Sequence, residues 1–67
     1  MKNKLKVQRA IHELTQAQLA QKINVTPWTV NSWEKNRYCP NLKYAFLMAR
    51  LFKVPITELF SFDDEEN

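Results

Sequence analysis

Glycine is absent from this chain of 67 residues, and proline occurs only at positions 27, 40 and 55. Glycine enters left-handed backbone without steric cost, so any such turn here must fall to another residue, with Asn the best substitute. Few breaks in the backbone pattern remain, and the chain reads as all-α.

The first helix is expected over residues 3–12, where Leu5, Arg9 and His12 recur three or four apart and Ile11 with Leu14 close its end. Thr15 can cap a second helix reaching Ile23, rich in Ala and Gln, whose apolar positions 19, 20 and 23 form one stripe. Asn24 ends it, being tolerant of the left-handed conformation. Only Val25 separates Asn24 from Thr26 and Pro27, a cap followed by a proline at the first helical position. A third helix therefore starts there and reaches Lys35, with Val30, Trp33 and the stem of Glu34 inward and Trp28, Thr29, Asn31 and Ser32 outward. Residues 36–40 form a loop. Asn41 caps a fourth helix to Leu51, offering Leu42, Ala45, Phe46, Ala49 and Leu51 or Phe52 to the core, and Pro55 starts a short fifth carrying Ile56, Leu59 and Phe60. Residues 1–62 read as one domain, and the acidic residues 63–67 as a disordered tail.

Size and charge narrow the function. A chain this short buries only about 60% of its unfolded surface in a single small core, which leaves no room for an enzyme domain beside a regulatory one. All ten Lys and Arg lie in residues 1–57 with only Glu13 and Glu34 against them, whereas residues 58–67 carry five acids and no base. A basic body with a separate acidic end suits a polyanionic partner. No apolar run approaches the roughly 20 residues that cross a bilayer, and no signal-peptide pattern follows the basic start, so the expected location is cytoplasmic. Cys39 is the single cysteine, which excludes an internal disulfide and a cysteine-based metal site. His12 is the single histidine, has no nucleophile or carboxylate pair near it in sequence, and no glycine-rich phosphate loop exists, so neither an enzyme nor a cofactor is expected.

Two short helices joined by a tight turn hold the second at a steep angle to the first, which lets it enter a groove about 12 Å wide. The residues that build this unit, Leu14-Thr15-Gln16-Ala17-Gln18-Leu19-Ala20, Val25-Thr26 and Val30-Asn31-Ser32-Trp33-Glu34, are followed by Asn36-Arg37, Pro40 and a closing Val54-Pro55-Ile56-Thr57-Glu58-Leu59-Phe60. In that order and spacing they resemble the Cro and phage-repressor family of helix-turn-helix proteins, in its small stand-alone bacterial or phage form. The resemblance spans about residues 4–60 and implies a five-helix, lambda-repressor-like DNA-binding domain. It also suggests that residues 1–4 and 61–63 pair as a short two-stranded β-ribbon.

The resemblance also assigns roles. Gln16 matches a glutamine that grips a DNA phosphate and braces the recognition helix, with a plain first-turn helix residue as the alternative, and Thr15 is a further phosphate contact. Pro27, Trp28, Thr29, Asn31 and Ser32 match positions that reach base edges, with surface packing the alternative for Trp28. Relatives place a long polar side chain where Pro27 stands, and the base hydrogen bond made by that side chain has no counterpart here. Lys35, Asn36, Arg37 and Tyr38 match a backbone clamp, against which stands a merely solvated loop. Arg9 and Glu34 match a structural ion pair between the first and third helices. Glu13, Asn24, Asn36 and Lys53 stand where relatives often have glycine.

The implied function is a sequence-specific double-stranded-DNA-binding regulator, a repressor acting as a homodimer on a palindromic operator, since one small module neutralises few phosphates. Phe46, Leu47, Phe60 and Phe62 exceed what one small core needs and are the expected dimer interface, with core packing as the alternative for about half of them. The rival reading is an antitoxin-like module that holds a protein partner through its aromatic end. RNA is disfavoured, because the exposed aromatics are few and not on a sheet.

Overall fold

The computed structural model describes residues 2–61 as five helices and a two-stranded ribbon. Phe62 and the acidic residues 63–67 lie outside the described residues. Lys2–Asn3 forms β1 and Phe60–Ser61 forms β2; they run antiparallel, with Lys2 opposite Ser61 and Asn3 opposite Phe60. The ribbon thus forms one residue earlier at its C-terminal side than the sequence suggested. Because β1 takes residues 2 and 3, and Lys4 N–H donates to Leu59 O (2.9 Å), helix α1 (Leu5–Ile11) starts later than expected.

Helix α2 (Gln16–Ile23) opens with a reciprocal cap: Thr15 Oγ1 accepts from Gln18 N–H (3.0 Å) and Gln18 Oε1 accepts from Thr15 N–H (2.8 Å). Helix α3 (Pro27–Glu34) is capped by Thr26, whose Oγ1 accepts from Thr29 N–H (3.2 Å), with Pro27 at its first position. Helix α4 (Leu42–Phe52) is capped by Asn41, whose Oδ1 accepts from Tyr44 N–H (3.1 Å), and Pro55 leads into the single turn of α5 (Ile56–Leu59). All three side-chain caps are the ones expected. The four residues standing where relatives have glycine are the four with positive φ: Glu13 (57°), Asn24 (63°), Asn36 (60°) and Lys53 (60°).

Leu5, Leu19, Ala20, Val30, Met48, Phe52 and Leu59 centre the core, with Trp33 packed among them. On α4 the buried positions are Ala45, Met48, Ala49 and Phe52, spaced three and four apart as one helical stripe requires. That spacing corrects the expected set. Leu42 is 66% exposed and Phe46 is exposed rather than packed, while Met48 fills the centre. Ile11, expected to close the end of α1, is also exposed, and Leu14 packs against the core in its place.

Candidate nucleic-acid interface

The C-terminal end of α3 is held by a polar cluster at its junction with α1 and α2. Arg9 Nε donates to Glu34 Oε2 (2.7 Å) and Nη2 to Glu34 Oε1 (3.1 Å), a two-pronged pair, and Nη1 donates to Leu14 O (2.9 Å). Gln16 Nε2 adds a bond to Glu34 Oε1 (3.0 Å), and Asn31 Nδ2 donates to Gln16 Oε1 (3.4 Å). On the other side Asn3 Nδ2 donates to Trp33 O and to Asn36 Oδ1, each at 3.0 Å. Burial alone would push the Glu34 carboxyl up; hydrogen bonds from Arg9 and Gln16, with the charges of Arg9 and Lys6, outweigh it and hold Glu34 below its ordinary value. Its hydrogen bond to Glu34 likewise holds the Arg9 guanidinium above its own, against the opposing effect of burial.

Along α3, Pro27 and Trp28 are exposed, Thr29 and Asn31 are half-buried, and Lys35 just beyond the helix is exposed. Ser32 departs from the outward face expected for it: it is 1% exposed, and its Oγ finds no hydrogen-bond partner among the described residues. Arg37 N–H bonds back to Ser32 O (2.9 Å), and the Tyr38 ring lies against Trp28, one helical turn before Ser32, with centroids 5.8 Å apart. Pro27, Trp28, Asn31 and Lys35 remain along the outer side of α3, while Ser32 lies within. Asn36, Arg37 and Tyr38 are exposed beside it, as is Thr15, while Gln16 is half-buried and engaged within the cluster. The Trp28–Tyr38 contact and the Asn3 brace were missed in the sequence because both join residues distant along the chain.

With this geometry in place, comparison with known proteins gives a consistent result. The Helix-turn-helix family matches residues 5–59. An HTH-type transcriptional regulator of Methanocaldococcus jannaschii is 48% identical over 66 residues, spanning 98% of this chain and 100% of that protein. One from Archaeoglobus fulgidus is 41% identical over 66 residues (98% and 94%), and one from Bacillus subtilis 34% over 65 residues (97% and 98%). The chain belongs to the helix-turn-helix family. Family membership makes it a transcriptional regulator rather than an enzyme, and the relatives place this small form in archaea as well as bacteria.

In this helix-turn-helix protein the expected dimer residues divide. Phe46 is exposed, Leu47 and Phe60 are half-buried against the core, and Phe62 lies outside the described residues. Leu42, displaced from the core, joins Cys39, Pro40, Ala45, Ile56 and Phe60 around an apolar groove of about 290 Å³. No helix among the described residues is long and apolar enough to cross a membrane, and none of their His, Cys, Asp and Glu side chains cluster as a metal site would need.

Proposed function

We infer that this protein binds double-stranded DNA sequence-specifically, acting in the cytoplasm as a homodimeric repressor on a palindromic operator. Helix α3 enters the major groove, and the observation that carries this reading is its outer row: the half-buried amide of Asn31 and the exposed indole of Trp28, on a helix whose other side is packed and whose end is fixed by Arg9 and Glu34. Asn31 hydrogen-bonds a base edge, and Trp28 with the Thr29 methyl packs on thymine methyl groups, with Pro27 adding apolar contact only. Thr15, Gln16, Lys35, Asn36, Arg37 and Tyr38 meet the phosphate backbone. Ser32 is removed from the base-reading set by its burial.

Two copies are needed because half-sites one helical turn apart multiply a modest single-module affinity. The exposed side chains of Leu42 and Phe46, next to half-buried Leu47 and Phe60, supply the apolar surface for that association. Sedimentation showing a monomer at high micromolar concentration would turn the same surface toward a different protein partner.

Selection of bound sites from random duplexes tests the base-reading set. Asn31→Ala relaxes preference at one position by about 1–3 kcal/mol, whereas Arg37→Ala weakens all sequences alike and lowers the salt dependence. Absence of any binding to random duplex DNA at low salt overturns the DNA reading in favour of a protein-interaction module.

A further inference from the structure

Trp28 and Tyr38 are two large rings that meet at the start of α3, 60% and 59% exposed, with their planes inclined at 52°. Aromatic pairs attract in such tilted arrangements at centroid separations of about 4.5–7 Å, the range in which this pair lies. The backbone that carries Tyr38 is anchored just before it. Asn36 N–H donates to Trp33 O (3.0 Å) and Arg37 N–H to Ser32 O (2.9 Å), while Asn36 Oδ1 accepts from Asn3 Nδ2 (3.0 Å). Tyr38 therefore presents its ring from a tied loop, whereas Trp28 stands in the first turn of the helix with most of its indole in solvent. Immobilising such a side chain on binding costs free energy, and a neighbour that already limits its rotation lowers that cost. The chemistry of the row indicates what the indole meets. Pro27 has no side-chain donor, and indole offers a single N–H on an otherwise apolar surface. On base edges in the major groove, apolar contact is made with the thymine C5 methyl group.

We propose that Tyr38 is a positioning residue for specificity: its ring holds the Trp28 indole over a thymine methyl group, so that Tyr38 acts on one base pair without touching it. The inference rests on α3 lying in the major groove. It divides the duties of Tyr38 between two parts of one side chain, the hydroxyl meeting phosphate and the ring setting the direction of Trp28. Without the ring the indole rotates about its two side-chain torsions, and DNA binding must then fix them.

The test uses a duplex recovered from random DNA and the same duplex with the Trp28-dependent thymine, located with Trp28→Ala, replaced by deoxyuridine, which lacks only the methyl group. Wild type is expected to prefer thymine about fourfold, the effect of burying one methyl-sized group. Tyr38→Ala is expected to bring this ratio most of the way to parity, and any weakening of the grip on phosphate cancels in the ratio. Tyr38→Phe, which keeps the ring and loses the hydroxyl, is expected to retain the wild-type ratio whatever its overall affinity. An unchanged ratio in Tyr38→Ala, or an equal fall in Tyr38→Phe, overturns the proposal. Melting curves verify that both variants are folded at the assay temperature. In the unbound protein, nitrogen relaxation of the Trp28 indole N–H gives an independent readout: the indole becomes more mobile in Tyr38→Ala but not in Tyr38→Phe if the ring holds it, and equal mobility in all three proteins overturns the proposal. Should Trp28→Ala alter preference at no position, base reading by Trp28 fails and the proposal with it, an outcome distinct from failure of the Tyr38 effect alone.

Discussion

At its C-terminal end α3 is tied to three other parts of the chain: to α1 through Arg9 and Glu34, to α2 through Gln16, and to β1 through Asn3. At its N-terminal end Thr26 caps the first turn, and Tyr38, from the loop beyond the helix, lies against Trp28. The first arrangement is a charged, largely buried lock that sets the angle of the helix. The second is a capped first turn carrying an exposed aromatic side chain.

Breaking the lock is expected to have the largest effect. Arg9→Ala or Glu34→Ala leaves the other charge without its partner in a largely buried place and is expected to lower stability by about 3 kcal/mol, with DNA affinity falling in step. Urea denaturation of each variant checks this; unchanged melting together with unchanged affinity removes the lock from the account. Acid acts on the same pair. The folded-state pKa of Glu34 lies below its ordinary 4.5, so its stabilisation is fully present at neutral pH and is lost as pH falls below that value through the folded pKa. Wild type should therefore lose stability more steeply over that range than Glu34→Ala, which lacks the group.

At the other end the effects are smaller. Thr26→Ala is expected to cost about 1 kcal/mol through loss of the cap, and a loss as large as that of Arg9→Ala would erase the contrast between the two ends. Ser32→Ala should raise stability by about 1 kcal/mol, since it removes a buried hydroxyl that has no partner among the described residues; thermal melting decides the sign. Trp28→Ala and Tyr38→Ala sharpen the contrast furthest. Each is expected to change stability by no more than about 0.5 kcal/mol, as exposed substitutions do, while weakening binding to the selected duplex.

The elements of the fold were legible because their signals are local. Thr15, Thr26 and Asn41 announce helix starts by side-chain chemistry acting within three residues, and Asn24 announces a helix end; Glu13, Asn36 and Lys53 were singled out only by the family resemblance, as places where relatives often have glycine. The Arg9–Glu34 pair was legible only through family resemblance, since nothing in spacing joins residues 25 apart. What could not be read was how many sides of a helix are covered. Periodicity marks one apolar stripe, so Ser32 fell outside it although its side chain is buried, and the backbone bond from Arg37 to Ser32 and the ring contact of Tyr38 with Trp28 on that helix are not recorded by any helical repeat. Leu42 and Met48 were misjudged for a related reason, because α4 is apolar over more of its surface than the core covers.

Asn24 and Asn36 tolerate the left-handed backbone they hold, whereas Glu13 and Lys53 hold it with side chains that disfavour it, at a cost of about 1 kcal/mol each. Each also has fewer conformations to lose on folding than glycine would have. The first effect is an energy and changes little on heating, whereas the second is an entropy whose weight grows in proportion to temperature. A glycine placed at Lys53 would therefore help the fold most when cold and least near its melting point.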